Sequence, residues 1–383
     1  MISERDLAIL GYLAAHPLAS MAEVAKELGY RAETVARHIR SMKEREIYSG
    51  SMGLLCYRKL DIAYVPVLVT APLENLEAVY AACRAHPYIA YSVRTLGGTN
   101  GAFLIFTQPC KAVHSLVEFL DELASKGIIT DHRVYVCDDT RRDFLKIDMG
   151  IFDAETGTWR FDWNKWQSGA ETAEPRTGST QPQSLLSEPQ LYKLDRSDME
   201  LLRLISDDVG LPTEEMARTA NLPLQSVRRR IQKLEEDGFI IGYRSMINFS
   251  HFQLSGSMLF NCSAKTSEVG VCRRKLLTLP FPGTFIPVQN GFLLQASISH
   301  EGLPVVHRFL LEHCSNVAVS WFDLPTSDVA LLNTRGYSEE GWQTDRAFLI
   351  DDPLEAIKKR AMPLGAADTS GGGSWTQPAA NAI

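Results

Sequence analysis

Residues 194–244 read LDRSDMELLRLISDDVGLPTEEMARTANLPLQSVRRRIQKLEEDGFIIGYR. Behind the start signal Asp195, Ser197 and Asp198, the residues Met199, Leu201, Leu202 and Ile205 recur at helical spacing, which predicts a first helix with one apolar face. Thr213 is the expected cap of a second helix, with Glu214, Glu215 and Met216 behind it. Asn221-Leu222-Pro223 stops that helix, because proline disfavours αR in the residue before it and lacks an N–H. A third helix is expected over 225–236. Its stripe of Val227, Ile231 and Leu234 is the buried side, so Gln225, Ser226, Arg228, Arg229 and Lys233 face outward, with Arg230 nearer the stripe. Gly238 ends it, and Phe239, Ile240, Ile241 and Tyr243 predict the first strand of a wing.

The same pattern stands earlier in the chain at a constant offset of 192 residues, without a gap from Arg5 to Gly50. Identical partners include Asp6/Asp198, Leu10/Leu202, Glu23/Glu215, Val35/Val227, Arg37/Arg229, Ile39/Ile231 and Gly50/Gly242. Such self-similarity marks an internal duplication. In the first copy the third helix is basic, since Arg31, Arg37, Arg40, Lys43 and Arg45 outweigh Glu33 and Glu44. Three short helices, the last one basic, followed by a strand are the pattern of a winged helix-turn-helix.

With 383 residues the chain has room for several compact domains, and 45% hydrophobic with 22% charged residues is an ordinary globular composition. The net charge of −7 argues against unspecific coating of nucleic acid, while a local basic footprint remains compatible with DNA. No apolar run reaches the length of a membrane span. The start, MISERDLAIL, lacks the apolar core of a secretory signal, so a cytoplasmic location is expected. Seven cysteines without CxxC pairs fit neither a disulfide framework nor a zinc ribbon. Cys110 and His114 share a helical spacing but are too few for a metal site. No cofactor, metal site or catalytic residue is expected, and LGGTNG lacks the lysine of a phosphate-binding loop.

The expected order is a winged helix-turn-helix at 1–58, a βαββαβ ferredoxin-like sandwich at 59–140, a β-hairpin extension rich in tryptophan at 141–166 and a flexible linker at 167–191. A second winged unit at 192–250, a second sandwich at 251–332 and a C-terminal extension at 333–383 with a disordered end follow. The fold class is therefore α+β. Both sandwich helices lie on one sheet face; Val67, Val69 and Ile105 are assigned to the other, which would be open to pair with a second sandwich.

These features resemble the Lrp/AsnC family of transcriptional regulators. The motifs that carry the resemblance are LDRSDMELLRLI and SVRRRIQKLEEDGFIIGY, with ERDLAILGYL and TVARHIRSMKEREIYSG as weaker first copies. The resemblance implies a regulator whose third helix enters the major groove of double-stranded DNA, whose sandwiches dimerise and beside which a small effector binds. In this chain it implies DNA contacts from Arg31, Thr34, Arg37, His38 and Arg40 in the first copy. Gln225, Ser226, Arg228, Arg229 and Lys233 supply them in the second. Cations neutralise phosphate while polar side chains near the helix start reach base edges. The effector loops fall at Gly98, Thr99, Asn100 and Gly101 and at Gln289 and Asn290. Members usually carry a Gly-x-Tyr-Asp-like segment there, and neither copy has its aspartate. One chain is expected to mimic a family dimer, with its sandwiches packed sheet to sheet, and to form homo-oligomers. The alternatives are an enzyme like the sirohaem decarboxylases, which share this tandem plan, or a noncatalytic sensor or assembly protein.

Overall fold

The computed structural model describes residues 2–135, 137, 142–169, 194–254 and 256–360. Most of the expected linker and the end of the chain lie outside them. The chain opens with α1 (Glu4–Ala15), α2 (Met21–Leu28), α3 (Ala32–Glu44) and strand β1 (Tyr48–Leu55). The first sandwich follows as β2 (Ile62–Thr70), α4 (Leu76–Ala85), β3 (Ile89–Gly97), β4 (Gly101–Pro109), α5 (Val113–Ser125) and β5 (Asp131–Val134). Behind it come β6 (Asp143–Leu145), β7 (Phe152–Asp153), β8 (Thr158–Trp159) and α6 (Trp163–Ser168). The second copy brings α7 (Arg196–Asp207), α8 (Thr213–Thr219), α9 (Leu224–Glu236) and β9 (Ile240–Ile247). Its sandwich is β10 (Ser257–Ser263), α10 (Thr266–Leu276), β11 (Gly283–Val288), β12 (Gly291–Ser297), α11 (Gly302–His313) and β13 (Asn316–Val329). The tail adds β14 (Tyr337–Ser338), β15 (Gly341–Trp342) and α12 (Asp352–Arg360).

Within each sandwich the strands run β5-β2-β4-β3 and β13-β10-β12-β11, the order of a ferredoxin-like βαββαβ unit. The two sheets are continuous, because β13 pairs antiparallel with β3, and β6 adds to the far edge on β11. β13 is 14 residues long. Its first part pairs with β10 and its second with β3, across a register shift between Asp323 and Asp328. Pro325 falls in that gap, where no ladder N–H is required, and the Arg94 N–H donates instead to Thr326 Oγ1 at 3.0 Å.

The register also corrects the face assignment. Val67 and Val69 stand opposite Leu104 and Ala102, and so share the helix-side face with Phe106, which packs near His86. The other face carries Leu68, Phe103 and Ile105, all buried. Leu259, Ile286 and Leu293 of the second sandwich belong to the same hydrophobic core, and Asn261 Nδ2 donates to the Tyr135 hydroxyl at 2.6 Å. The apolar sheet face is thus covered by the second half of the same chain.

The extension at 141–166 is less of a hairpin than expected. β6 leaves it for the second sheet, the hairpin shrinks to β7 and β8, and Trp163 opens α6. Its tryptophans pack on the second sandwich: Trp163 stacks on Phe281 at 5.4 Å and Trp166 Nε1 donates to Thr278 Oγ1 at 2.9 Å. The C-terminal tail does the same for the first sandwich, with α12 against α4. Two hydrogen bonds show the correspondence. Trp159 Nε1 donates to the Phe252 carbonyl at 2.8 Å and Trp342 Nε1 to the Leu60 carbonyl at 2.7 Å, and the two acceptors stand 192 residues apart.

His86 is a buried histidine, 1% exposed, between Phe106 and Phe119. Its Nδ1 accepts the Tyr88 N–H at 3.2 Å. Burial disfavours the imidazolium and holds the pKa down to about 3. In the unfolded chain the group titrates near 6.5. As pH falls below that value the unfolded state takes up a proton that the folded state refuses, so stability is lost. The expected loss between pH 7 and 5 is about 2 kcal/mol. His86→Asn keeps an acceptor and removes the titration, so denaturant midpoints at the two pH values should lie closer together than in the wild type. An unchanged gap would count against this account.

Candidate nucleic-acid interface

The two three-helix units are built alike. Val35, Ile39 and Met42 on α3 face the first core, as Val227 and Leu234, with Ile231 partly covered, do on α9. Thr213, expected as a cap, is the first residue of α8 behind Pro212. Each first helix starts with a capping box, Ser3 with Asp6 and Asp195 with Asp198.

Those same aspartates clamp the third helices. His38 Nδ1 lies 2.7 Å from Asp6 Oδ1, and Arg230 Nη1 donates to Asp195 Oδ2 and Asp198 Oδ1 at 2.7 Å each. The pairs Asp6–His38 and Asp198–Arg230 are images of each other at the 192-residue offset. Burial works against the Asp6 carboxylate, but the Ser3 N–H and His38 outweigh it and keep the pKa below the usual range. Asp195 is likewise held low, with Arg230 prevailing over burial. His38 was expected among the DNA contacts, but its ring is spent on Asp6. The sequence signal that reveals the clamp is a basic residue 32 positions after each helix-start aspartate.

The remaining site residues are open. Arg31, Arg37 and Arg40 in the first copy and Gln225, Arg228, Arg229 and Lys233 in the second are exposed, while Thr34 and Ser226 are half-buried. None of these cations forms an ion pair among the described residues. Lys26 on α2 and Arg218 on α8 were missed by the sequence reading. They are exposed cations at image positions, and the helix before a recognition helix is the one that crosses the phosphate backbone.

The wings depart from expectation. β1 and β9 do not each form a hairpin with a second strand of their own unit; they pair with each other, antiparallel. Met52 stands opposite Arg244, its own image, while Ser51↔Ser245 and Gly53↔Tyr243 exchange under the same offset. Even the two irregularities, Tyr48↔Ile247 and Leu55↔Ile240, are images. A pseudo-two-fold axis therefore passes between Met52 and Arg244, and it relates the two helix-turn-helix units. Gly53 makes the approach possible, since a Cβ there would lie 2.4 Å from Ile205 Cγ2 on α7.

The expected effector loops are held by hydrogen bonds and close contacts with neighbouring strands and turns. The Gly98 N–H donates to the Val319 carbonyl at 2.8 Å and the Thr99 N–H to Ser320 Oγ at 2.9 Å. Asn100 Oδ1 accepts the Gly97 N–H at 3.0 Å, and a Cβ on Gly101 would sit 2.0 Å from the Val69 carbonyl oxygen. Gln289 and Asn290 form a tight turn with Asn290 at φ 65°, whose carbonyl takes the Ala264 N–H at 3.0 Å. These six residues shape hairpins that join strands. They line neither the cavity of about 30 Å³ between β1 and the first sandwich nor the open cleft of about 430 Å³ beside Tyr12, His16 and Tyr243.

Comparison with known proteins agrees with this geometry. A family model described as winged helix-turn-helix DNA-binding matches residues 2–47 and again 194–241. The uncharacterized HTH-type transcriptional regulator YezC of Bacillus subtilis is 24% identical over 126 residues, 33% of this chain and 88% of that protein. The leucine-responsive regulatory protein of Rhizobium meliloti is 40% identical over 58 residues, 15% of this chain and 37% of that protein. The Bkd operon transcriptional regulator of Pseudomonas aeruginosa is 36% identical over 68 residues, 18% and 43% respectively. Among solved structures, the siroheme decarboxylase NirDL superimposes with a TM-score of 0.55 at 10% identity, covering 93% of this chain and 99% of that one, a likeness of fold. The winged helix-turn-helix model is thus matched in both halves, regulators that include a leucine-responsive protein are similar to this chain over short stretches, and the fold is shared with NirDL along nearly its whole length.

Proposed function

We propose that this chain is a sequence-specific DNA-binding transcription regulator in which one polypeptide does the work of a family dimer. The observation that carries the reading is the β1–β9 ribbon. Its register relates α3 and α9 by a two-fold operation, so two recognition helices whose exposed cations form no ion pair among the described residues address an inverted repeat. Arg37 and Arg229 hold phosphate or guanine at image positions, Thr34 and Ser226 stand beside them, and Arg31, Arg40, Arg228, Lys233, Lys26 and Arg218 add phosphate contacts. The regulator names of the relatives support the same reading. Among the described residues no helix is long and apolar enough to cross a membrane.

Fluorescence anisotropy of the full chain on its own upstream DNA, against a scrambled duplex, tests this. Binding should favour the native fragment and weaken roughly 1,000-fold between 50 and 200 mM salt if about six phosphates are neutralised. Equal, salt-insensitive binding to both duplexes would refute it.

The decarboxylase fold shared with NirDL favours a second, enzymatic reading. Against it, Arg94 is engaged with Asp323 at 3.9 Å, and the cavity between β1 and the first sandwich is about 30 Å³. Ligand pockets typically measure about 300–1,000 Å³. A Soret band in the purified protein would restore that reading.

A further inference from the structure

The two recognition helices share their frame but differ at exposed positions near the start, and within the helices one of these carries a polar side chain in both copies. Glu33 is the second residue of α3 and Gln225 the second residue of α9, image positions at the 192-residue offset, and both are exposed. Thr34 and Ser226 follow them, and Arg37 and Arg229 stand one turn further on. Of the other exchanges, Arg31 for Pro223 precedes the helix, Ala32 for Leu224 brings no polar group, and those from Ala36 for Arg228 onward lie deeper, whereas base edges are read from the N-terminal residues of a recognition helix.

The two side chains offer opposite hydrogen-bond faces. A glutamine amide carries both a donor and an acceptor and matches adenine N7 and N6 in the major groove. An ionised glutamate carries acceptors alone, so it accepts from the cytosine N4 amino group and is repelled by the N7 and O6 acceptors of purines. Glu33 forms no ion pair among the described residues that would remove its charge from that role.

We propose that Glu33 and Gln225 make the operator of this chain an inverted repeat broken at one base, with adenine facing Gln225 in one half-site and cytosine facing Glu33 in the other. The fusion gives this break a fixed meaning: a dimer of identical subunits presents the same residue twice, whereas here each orientation on the DNA is distinct, and the chain binds a promoter in one direction. The inference rests on the DNA-binding reading above and adds the identity of the base pair.

The test is selection from a random duplex library with the full-length wild type, Glu33→Gln and Gln225→Glu. Both positions are exposed, so thermal melting of the three proteins should coincide. The wild type should enrich an inverted repeat with adenine in one half and cytosine at the mirrored position. Glu33→Gln should enrich adenine in both halves and Gln225→Glu cytosine in both. Anisotropy on synthetic duplexes should then show each protein preferring its own site roughly tenfold. A wild-type site symmetric at that position, or a site that Glu33→Gln leaves unchanged, would overturn the inference while leaving the regulator reading standing. Failure of all three proteins to enrich any sequence would bring down the regulator reading itself.

Discussion

Substituting both Arg37 and Arg229 with alanine is expected to lower affinity for the cognate duplex on the order of a thousandfold, and each single change roughly thirtyfold. The two arginines sit on separate third helices at image positions and, on the proposed reading, would meet separate half-sites, so their losses should combine with little coupling. Both are exposed and neither has an ion-pair partner among the described residues, so melting temperature should not move. Anisotropy at fixed salt reads the affinity, and the salt slope should become shallower by about one for each arginine removed, if each meets a phosphate. A double variant that binds within a few fold of the wild type would place the DNA contact elsewhere.

The second large effect concerns the tail. Removing residues 333–383 should leave a chain that does not hold its first sandwich folded at 25 °C. Trp342, Leu349, Ile350 and Leu354 are buried, and Trp342 packs edge-on to Tyr88 at 5.7 Å. Uncovering four such side chains forfeits about 1.5–3 kcal/mol each, a sum close to the stability of about 5–15 kcal/mol of a whole domain. If the truncated chain proves insoluble, Trp342→Ala in the full chain measures the same contact. It should cost about 3–5 kcal/mol in urea unfolding, against about 1 kcal/mol for Trp342→Phe, which keeps the ring and loses the bond to Leu60. A truncated chain that melts like the intact one would show the tail to be dispensable.

Much of the architecture was legible because it is written in local periods. Helical stripes such as Val227, Ile231 and Leu234, the caps, and the 192-residue offset are properties of neighbouring residues or of a simple comparison. Partners distant in sequence were not legible. Strand β1 reads equally well as half of a wing hairpin or half of a ribbon, since a two-residue period names a face and no partner. The mistaken face of Val67 and Val69 has the same origin, because nearly every residue of β2 and β4 is apolar and alternation gives no guide. Pro325 does not end β13, because the ladder merely skips four residues there. At the site, the exposed cations followed from the helical wheel. The engagement of His38 by Asp6 is a contact across 32 residues, visible only once the same pair is noticed as Asp198 and Arg230.

The crossed tails have a consequence for synthesis. Leu60, in the first sandwich, waits for Trp342, which leaves the ribosome some 280 residues later; at about 5–20 residues per second that is tens of seconds. The early half must spend this interval with an apolar sheet face and a helix layer uncovered, a state that invites association with other nascent chains or with a chaperone. The bonds that seal the two copies into one body thus make the first-made part of the chain the last to be safe, and they set a vulnerability of birth that the finished protein does not share.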